Sequence, residues 1–502
     1  MNYQDASSRS LLRSLCDKSF GVDVICEYPL PDYEEEIRRL LRVNVTLLPP
    51  VPYVGAGNAS FSGSVRFDML YLSPEGKLCT VRTTEGYELS APLDKDADVD
   101  YADEILAFCD VTPESVVSRV LAPRKLSLKC RLHAKVRAYG HATPTETLTG
   151  DFSPNGIERL AGMAEAAFFA SALSEDIEIS DEITPTRTGE TTLVGADGGV
   201  HVLEATCEEG AVLCRGELLV KLLLCTDGGT PYTMQARIPF SERVEGDGFR
   251  GGMSARAFGE VAELSCEIVD GVVQMNAALR LSAEAQENRP VPYTRDLYSS
   301  AHRVETTHKR LTYPHATLCK SGNFTQSLYE PLESYGIPTD AEIIDLTATA
   351  CADEAICDRG KWALVGESRM NLLLLSGGEY KTVEIPLPFR YELEGECGEV
   401  ECLASELHMT NGRARIDGGR LSLECEMGVS LRLCTVRELT ALDEASFGEP
   451  VPECEDYVVC FTTPNDSLWE IGKRYHTPLS RLRALNSLGE TDTLGNYLIV
   501  NG

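Results

Sequence analysis

Basic residues are scarce in this sequence relative to acidic ones. Lys and Arg number 46 against 78 Asp and Glu, which gives the chain a formal net charge of -32 at pH 7. A surplus of negative charge repels nucleic acid and anionic lipid over long range, because both are themselves anionic. We therefore expect no nucleic-acid partner and no anionic membrane as the main partner.

Long apolar runs are lacking as well. No stretch of the sequence reaches the roughly 18 apolar residues that a membrane-spanning helix needs. The segment from Met1 to Leu30 has no basic start followed by an apolar core, which is the pattern of a secretory signal. The sequence therefore predicts a soluble, cytoplasmic protein without direct membrane insertion.

The 18 cysteines form no recognisable metal-binding motif. No Cys-x-x-Cys is present, and the nearest pairs lack His or Cys partners at zinc-finger spacing. These pairs are Cys351/Cys357, Cys397/Cys402 and Cys454/Cys460. Most other cysteines lie in apolar, strand-like runs, where a reduced thiol behaves as a small hydrophobe. We expect reduced core cysteines, no metal and no cofactor.

Motifs of hydrolytic and transfer enzymes are also missing. The sequence has no Gly-x-Ser-x-Gly, no His-Glu-x-x-His, and no Gly-Lys pair followed by Ser or Thr. The only histidine cluster comprises His302, His308 and His315, and it fits a solvated linker better than a general base. These absences favour a non-enzymatic protein, although a pair of carboxylates serving a glycosidase stays open among 78 acids.

What the sequence does contain is one pattern in three copies. Each copy has a glycine, an apolar-rich strand, a Gly-containing turn and a second strand with a Pro-centred stop. The lead glycines are Gly63, Gly216 and Gly366, at intervals of 153 and 150 residues, and the stops are at Pro92, Pro239 and Pro388. A closing strand recurs at 125–130, 272–277 and 420–425. The regular spacing predicts a triplicated domain.

The predicted fold class is mainly β, with three antiparallel β-sandwich-like domains, a few helices and a small βααβ domain. Apolar and polar residues alternate after Gly63, which indicates a strand with one buried face. The predicted boundaries are 1–145, 146–292, 293–445 and 455–502. Helices are predicted over Asp32–Arg42, and after Ser153-Pro154, where apolar residues have helical spacing.

The C-terminal segment differs in character from the rest. The run Asn465-Asp-Ser-Leu-Trp-Glu-Ile-Gly472 is followed by a second short helical pattern and by an apolar strand at 497–500. Ser467 and Glu470 have the spacing of a capping box. This segment resembles the LysM domain, a βααβ module whose corresponding run is Gly-Asp-Thr-Leu-Trp-x-Ile-Ala, and whose Leu-x-x-x-Asn close corresponds to Leu482 and Asn486.

The resemblance implies a glycan-binding groove between the turn before the first helix and the loop before the last strand. LysM modules bind N-acetylglucosamine-containing glycans, chiefly peptidoglycan or chitin. The residues implicated by position are Asn465, Asp466, Ser467 and Leu468, with Leu494, Gly495 and Asn496 opposite. The chain departs from the family pattern at Cys460, Asn465 and Leu494-Gly495, so the ligand stays open between a glycan and a protein.

The combination of three repeats and a terminal LysM resembles the spore-coat morphogenetic proteins of endospore formers, whose repeated unit is the SPOCS domain. That resemblance implies a non-enzymatic assembly scaffold in the mother-cell cytosol, at the outer forespore surface. The implied partners are a basement-layer ATPase of the coat and peptidoglycan or its precursor, with self-association through exposed strand edges. A LysM-anchored peptidoglycan hydrolase and a peptidoglycan-binding adaptor unrelated to sporulation are the alternatives.

Overall fold

The computed structural model consists almost entirely of long antiparallel strands. It describes two parts, the body (residues 10–452) and the C-terminal module (residues 457–501). The residues described are 10–96, 99, 105–152, 156–187, 189–226, 229, 231–393, 400–452, 457–463, 466–489 and 494–501.

The strands of the body fall into three sets. The first set is β1 (Leu11–Pro29), β2 (Arg39–Gly55), β3 (Asn58–Leu72), β4 (Leu78–Pro92), β5 (Leu106–Ala122) and β6 (Lys125–Ala142). After β7 (Thr147–Gly150), the second set is β8 (Ile157–Leu173), β9 (Ile177–Ile183), β10 (Thr191–Glu208), β11 (Ala211–Thr226), β12 (Pro231–Glu245), β13 (Ser254–Val269) and β14 (Val272–Ser299). The third set is β15 (His302–Pro331), a 3-10 helix (Leu332–Tyr335), β16 (Glu342–Asp358), β17 (Lys361–Ser376), β18 (Glu379–Leu393), β19 (Val400–Asp417) and β20 (Arg420–Pro450).

All three sets share one arrangement of six strands, to which β9 adds beside β14 and β7 adds parallel to β20. One sheet is a meander, with the orders β2-β3-β4, β10-β11-β12 and β16-β17-β18. The other sheet has the last strand at its centre, with the orders β1-β6-β5, β8-β14-β13 and β15-β20-β19. The two sheets of a set share one core, as Phe67 of β3 and Leu128 of β6 do in the first. The mainly β, sandwich-like fold class is therefore confirmed.

The lead glycines of the sequence pattern have a packing role. Gly63, Gly216 and Gly366 lie in β3, β11 and β17, each directly opposite an aromatic residue of the next strand. A Cβ on Gly63 would lie 2.4 Å from the ring of Tyr87, and one on Gly216 would lie 2.6 Å from the ring of Phe240. Glycine is needed at these positions because the aromatic ring occupies the space of a side chain.

The three sets meet at the centre of the body. The first strand of each meander carries a β-bulge at the same place, and the bulged residues are spaced by 153 and 150 residues, as the lead glycines are. These residues join one leucine from the middle strand of each meander in a shared apolar cluster. The cluster contains Leu41, Val194 and Ile344 with Leu70, Leu223 and Leu373. Equivalent positions therefore pack against one another, which makes the body one interlocked unit.

A buried ionic cluster also joins the sets. Arg256 of β13 donates to the carboxylate of Glu284 of β14 at 2.6 Å, and Arg432 of β20 lies 3.3 Å from the same carboxylate. The Arg432 guanidinium also stacks over the ring of Phe108 in β5, with 4.0 Å to its centroid. One arginine of the third set thus contacts both other sets.

Two predicted helices are wrong. Ile157–Leu173 is strand β8, and it pairs with β14 along its whole length, so that long-range pairing overrides a local helical pattern. Residues 153–155, the predicted start of this helix, lie outside the described residues. In the predicted helix over Asp32–Arg42, the amide of Ile37 donates to Pro123 instead, and strand β2 starts at Arg39.

Two of the predicted Pro-centred stops are wrong as well. Strand β4 ends at Pro92, but β12 and β18 continue through Pro239 and Pro388. Both strands lie at the end of a sheet, where a missing N–H donor breaks no ladder bond on the outer side. The predicted domain boundaries stay a prediction, and β14 runs on past residue 292 to Ser299.

The C-terminal module consists of β21 (Tyr457–Phe461), α1 (Leu468–Arg474), α2 (Leu479–Asn486) and β22 (Tyr497–Asn501), with β21 and β22 antiparallel. This is the predicted βααβ order. None of the helices in the described part of the chain combines the length and the apolar character that crossing a membrane requires.

Candidate functional site

The C-terminal module closes around its own small core. Ile471 of α1, Leu482 of α2, and Cys460, Leu498 and Val500 of the two strands are buried together. The predicted capping box is present, because the Glu470 amide donates to the Ser467 hydroxyl at 3.2 Å and the Ser467 amide donates to the Glu470 carboxylate at 3.1 Å. Two orphan amides at the start of α1 are satisfied in this way.

Asn486 fastens the second helix to the last strand. Its side-chain amide donates to the carbonyls of Leu482 and Ile499, at 2.9 and 2.8 Å, and its oxygen accepts from the Ile499 amide at 2.7 Å. The asparagine at the end of the Leu-x-x-x-Asn pattern is therefore a structural clamp, which sets where the loop before β22 leaves the helix.

The two halves of the predicted groove lie side by side. The Thr462 amide donates to the carbonyl of Asn496 at 3.1 Å, and the Thr462 hydroxyl donates to the carbonyl of Gly495. The segment that leads into α1 is thereby attached to the segment that leads into β22. Asn465, one of the implicated residues, lies outside the described residues.

Most of the described groove residues build the module. Asp466 accepts from the amide and the hydroxyl of Thr463, at 2.7 and 3.0 Å, and these bonds hold the pKa of Asp466 below its usual value. Ser467 caps α1, and Leu468 and Leu494 pack against the core. Gly495 and Asn496 are exposed. Asn496 therefore offers the side chain with most freedom to meet a ligand, since that side chain forms no hydrogen bond with any described residue.

One face of α1 is docked on the body. The Trp469 indole donates to the carboxylate of Asp296 at 3.0 Å, and the Lys473 ammonium donates to both oxygens of that carboxylate at 2.7 Å. The Trp469 ring also makes an edge contact with Tyr298, with 4.9 Å between centroids. Both Asp296 and Tyr298 belong to β14, so the second strand set carries the module.

Gly472 lies at the closest approach of this interface. The Tyr298 hydroxyl donates to the carbonyl of Thr477 at 2.8 Å, and a Cβ on Gly472 would lie only 2.5 Å from the Tyr298 oxygen. The family run ends in Ala where this chain has Gly472. The departure has a physical reason, because the phenol of Tyr298 occupies the volume that a methyl group would need.

Two further bonds complete the interface. His476 donates from its ring to the carbonyl of Ser299 at 3.0 Å, and the Leu479 amide at the start of α2 donates to the Glu158 carboxylate at 3.3 Å. Sequence patterns did not indicate Asp296, Tyr298 or Glu158 as module contacts, since they lie more than 150 residues away along the chain. Within the module, the one sequence signal of this interface was Gly472, a glycine where the family has alanine.

Docking should weaken in acid. Burial alone would raise the pKa of Asp296, but the bonds from Lys473 and Trp469 outweigh it and hold that pKa below its usual value. Because the pKa of Asp296 is lowered in the docked state, its carboxylate stabilises docking at any pH above the free pKa of about 3.9. This stabilisation is lost as the pH falls through the lowered pKa of the docked state. We expect acrylamide quenching of Trp469 to stay constant from neutral pH down to about pH 5 and to rise below about pH 4. Asp296→Asn should abolish this transition, whereas a transition of equal size in Asp296→Asn would refute the assignment.

A third surface of the module is apolar and exposed. The ladder of β21 and β22 places Val459 opposite Ile499 and Phe461 opposite Tyr497, on the face away from the core residue Cys460. Phe461 is 79% exposed and Tyr497 is 59% exposed. The module therefore has three distinct faces: a docked helix, an open loop pair and an exposed apolar ribbon.

Metal-binding groups of three or more His, Cys, Asp or Glu side chains are absent from the described residues. Among the described residues, fifteen cysteines are free thiols and Cys357 is disulfide-bonded, so Cys357 departs from the expectation of reduced cysteines. Burial raises the pKa of most of the free thiols, as it does for Cys214, to about 12.

Comparison with protein families assigns two parts of the chain. The family model for the LysM domain matches residues 462–494, which include both helices of the module, and the model described as SipL, SPOCS domain, matches residues 191–269. The chain carries a SPOCS domain and a C-terminal LysM domain. The SPOCS match starts at the first residue of β10 and ends at the last residue of β13. Comparison with curated proteins and with solved structures gives no match.

Both matched domains are non-catalytic binding domains, and together they support a sporulation-related, peptidoglycan-binding protein. The strand that holds the LysM domain, β14, follows directly after the SPOCS match. The orientation of the LysM domain is therefore tied to the strand set that contains the SPOCS domain.

Proposed function

We propose that the protein is a non-enzymatic scaffold of spore-coat assembly that uses its LysM domain to bind peptidoglycan or its precursor and a basement-layer ATPase of the coat. The observation that carries this proposal is the division of the LysM surface. One helix face is fixed to the body, while the groove around Gly495 and Asn496 and the outer face of the ribbon stay exposed. A fixed module with two open faces is suited to connect two partners.

Peptidoglycan is the ligand proposed for the groove. The groove residues are Asn465, Asp466, Ser467 and Leu468, with Leu494, Gly495 and Asn496 opposite. Sugar hydroxyls and N-acetyl groups need hydrogen-bond donors and acceptors at fixed positions. The exposed Asn496 side chain, with an amide donor and a carbonyl acceptor, provides such groups.

A coat protein is the partner proposed for the ribbon. The exposed pair Phe461 and Tyr497 gives the apolar, aromatic area that anchors protein interfaces. The module from Tyr457 onward has four acidic and four basic residues, whereas the whole chain has a net charge of -32. Because it lacks the negative surplus of the body, the LysM domain can approach an acidic protein that the body repels.

The proposed location is the mother-cell side of the forespore surface, where a coat basement layer and cortex precursor lie close together. The body supports a structural role, because its three strand sets share the apolar cluster around Leu70, Leu223 and Leu373 and are packed together as one unit. Self-association belongs to the same proposal, since each set ends in unpaired edge strands.

Two substitutions should separate the two partners. We expect Asn496→Ala to reduce sedimentation of the full-length protein with purified peptidoglycan by about tenfold, which corresponds to about 1.4 kcal/mol. Phe461→Ser should leave that binding unchanged but should reduce capture of the coat ATPase by a similar factor. Binding is measured by cosedimentation and by pull-down with the purified partners.

The control is Tyr33→Ser, which changes an equally exposed aromatic residue of the body, 86% exposed. Loss of both activities in Asn496→Ala with an unchanged circular dichroism spectrum would contradict two separate faces. Release of soluble fragments from labelled peptidoglycan by the wild-type protein would instead support the hydrolase alternative and overturn the non-enzymatic proposal.

A further inference from the structure

The first strand set differs from the other two at one seam. Strands β2 and β5 each end a sheet and face each other across the open side of the sandwich. In the second and third sets, the tail of the equivalent strand packs on its core, through Leu264, Cys266 and Ile268 in β13 and through Ala414 and Ile416 in β19. In β5 the equivalent residues, which lie opposite the core residues Cys130 and Leu126, are Val116 and Val120, and they are exposed at 39% and 40%.

A groove of about 370 Å³ lies at this seam. Its walls are Arg38, Arg39 and Arg42 together with Val43, Ser118 and Val120. The groove therefore combines positive charge on the β2 side with an apolar and hydroxyl-bearing wall on the β5 side.

The positive charge is specific to the first set. Counted from the shared β-bulge, Arg38, Arg39 and Arg42 correspond to Thr191, Thr192 and Gly195 in the second set and to Ala341, Glu342 and Asp345 in the third. Three arginines at one groove are unusual in a chain with 46 basic and 78 acidic residues. Contacts between the strand sets account for Arg39 and Arg42 but not for Arg38.

Part of this charge is not neutralised. Arg42 donates to the Asp345 carboxylate at 2.7 Å, but Lys221 pairs with the same carboxylate, so one anion serves two cations. Arg39 donates to the carbonyl of Tyr380. The Arg38 guanidinium is exposed and has no ion-pair or hydrogen-bond partner in the described part of the chain. An incoming carboxylate would find donors at Arg38 and a positive potential from Arg42.

We propose that this groove is a docking site for an extended acidic segment of a partner protein, in which carboxylates alternate with apolar side chains. The segment adds along the free edge of β5, where unpaired backbone groups supply hydrogen bonds and set the register. One side of the segment covers Val116 and Val120, which share a face of β5, and the other side presents carboxylates to Arg38. Binding closes the sandwich of the first set as the protein's own strands close the other two.

The test uses the full-length protein and a fluorescent peptide of about eight residues that alternates Glu and Val, a length that matches one edge strand. Wild-type protein should raise the anisotropy of this peptide and should not bind a peptide in which Lys replaces Glu. Arg38→Glu should weaken binding about tenfold or more, because attraction is replaced by repulsion. Val120→Asp, on the opposite wall, should weaken it as well.

The control is Arg415→Glu, the same charge change at an exposed position of β19, which is the equivalent of β5 in the third set. It should bind the peptide as wild type does. Failure of the wild-type protein to bind, equal binding of the Lys peptide, or wild-type affinity in Arg38→Glu would overturn the proposal. Displacement of the peptide by low millimolar inorganic phosphate would assign the groove to a small anion and overturn it too.

Discussion

Replacing Gly472 with Ala is expected to detach the LysM domain from the body while leaving the domain folded. The added methyl would lie 2.5 Å from the hydroxyl of Tyr298 and 3.1 Å from the carbonyl of Thr477. Overpacking of this kind costs about 1–3 kcal/mol, and separating the two surfaces relieves the closer contact, which is the one with Tyr298. The helix itself gains, since Ala is favoured over Gly within a helix by about 1 kcal/mol. The substitution therefore destabilises the docked state through the contact with Tyr298, while it stabilises the helix of the undocked domain.

Tryptophan quenching measures the detachment. The protein has two tryptophans, and Trp362 is buried in the third strand set at 2% exposure, so added accessibility to acrylamide reports on Trp469. We expect increased quenching in Gly472→Ala and in Asp296→Ala, which attacks the same interface from the body. Ser480→Ala, on the exposed side of α2, is the control and should behave as wild type. Wild-type quenching in both interface variants would refute docking.

Removing the carboxylate of Glu284 should destabilise the body more than any other single change considered for it. Glu284 is the anion between Arg256 and Arg432, whose side chains are both 2% exposed. Burial would raise the pKa of Glu284, but the two arginines outweigh it and hold the pKa below its usual value. Leaving buried cations without their partner costs about 3–5 kcal/mol. Glu284→Ala should therefore shift the urea unfolding midpoint strongly downward at pH 7.

The control for this prediction is Glu263→Ala, which removes an exposed carboxylate from β13 and should change the midpoint little. Glu284→Gln should fall between wild type and Glu284→Ala, because the amide oxygen still accepts from one arginine but carries no charge. Equal midpoints for Glu284→Ala and Glu263→Ala would show that the arginines find other partners or water.

Docking of the LysM domain changes what a binding partner meets. Trp469 and Lys473 are engaged by Asp296, so a ligand that needs this face has to compete with the body. A ligand of the groove or of the ribbon does not. Variants of Trp469 therefore report on docking as well as on the LysM domain, whereas Asn496 and Phe461 report on the open faces.

The sequence predicted those parts of the protein that depend on local pattern. Period-two alternation after Gly63, and the recurrence of that glycine after 153 and 150 residues, predicted three equivalent strands. Ser467 and Glu470 predicted the cap of α1 for a similar reason, since a capping box involves residues three positions apart. The groove residues implied by the family resemblance stay a prediction, and the structure shows the Thr462 amide bonded to the carbonyl of Asn496.

Other features depended on contacts between distant residues. Ile157, Leu160, Ala164 and Phe168 have helical spacing, but β14 offers a complete ladder of backbone partners, and the segment is a strand. The sequence by itself determined the three strand sets, their glycines and the fold of the LysM domain, because these follow from the periodicity of neighbouring side chains. Only the tertiary structure decided the docking of Gly472 on Tyr298, the burial of Glu284 between two arginines and the opening of the seam beside Arg38. Each of these depends on the distance between residues far apart in the chain, and periodicity does not record that distance.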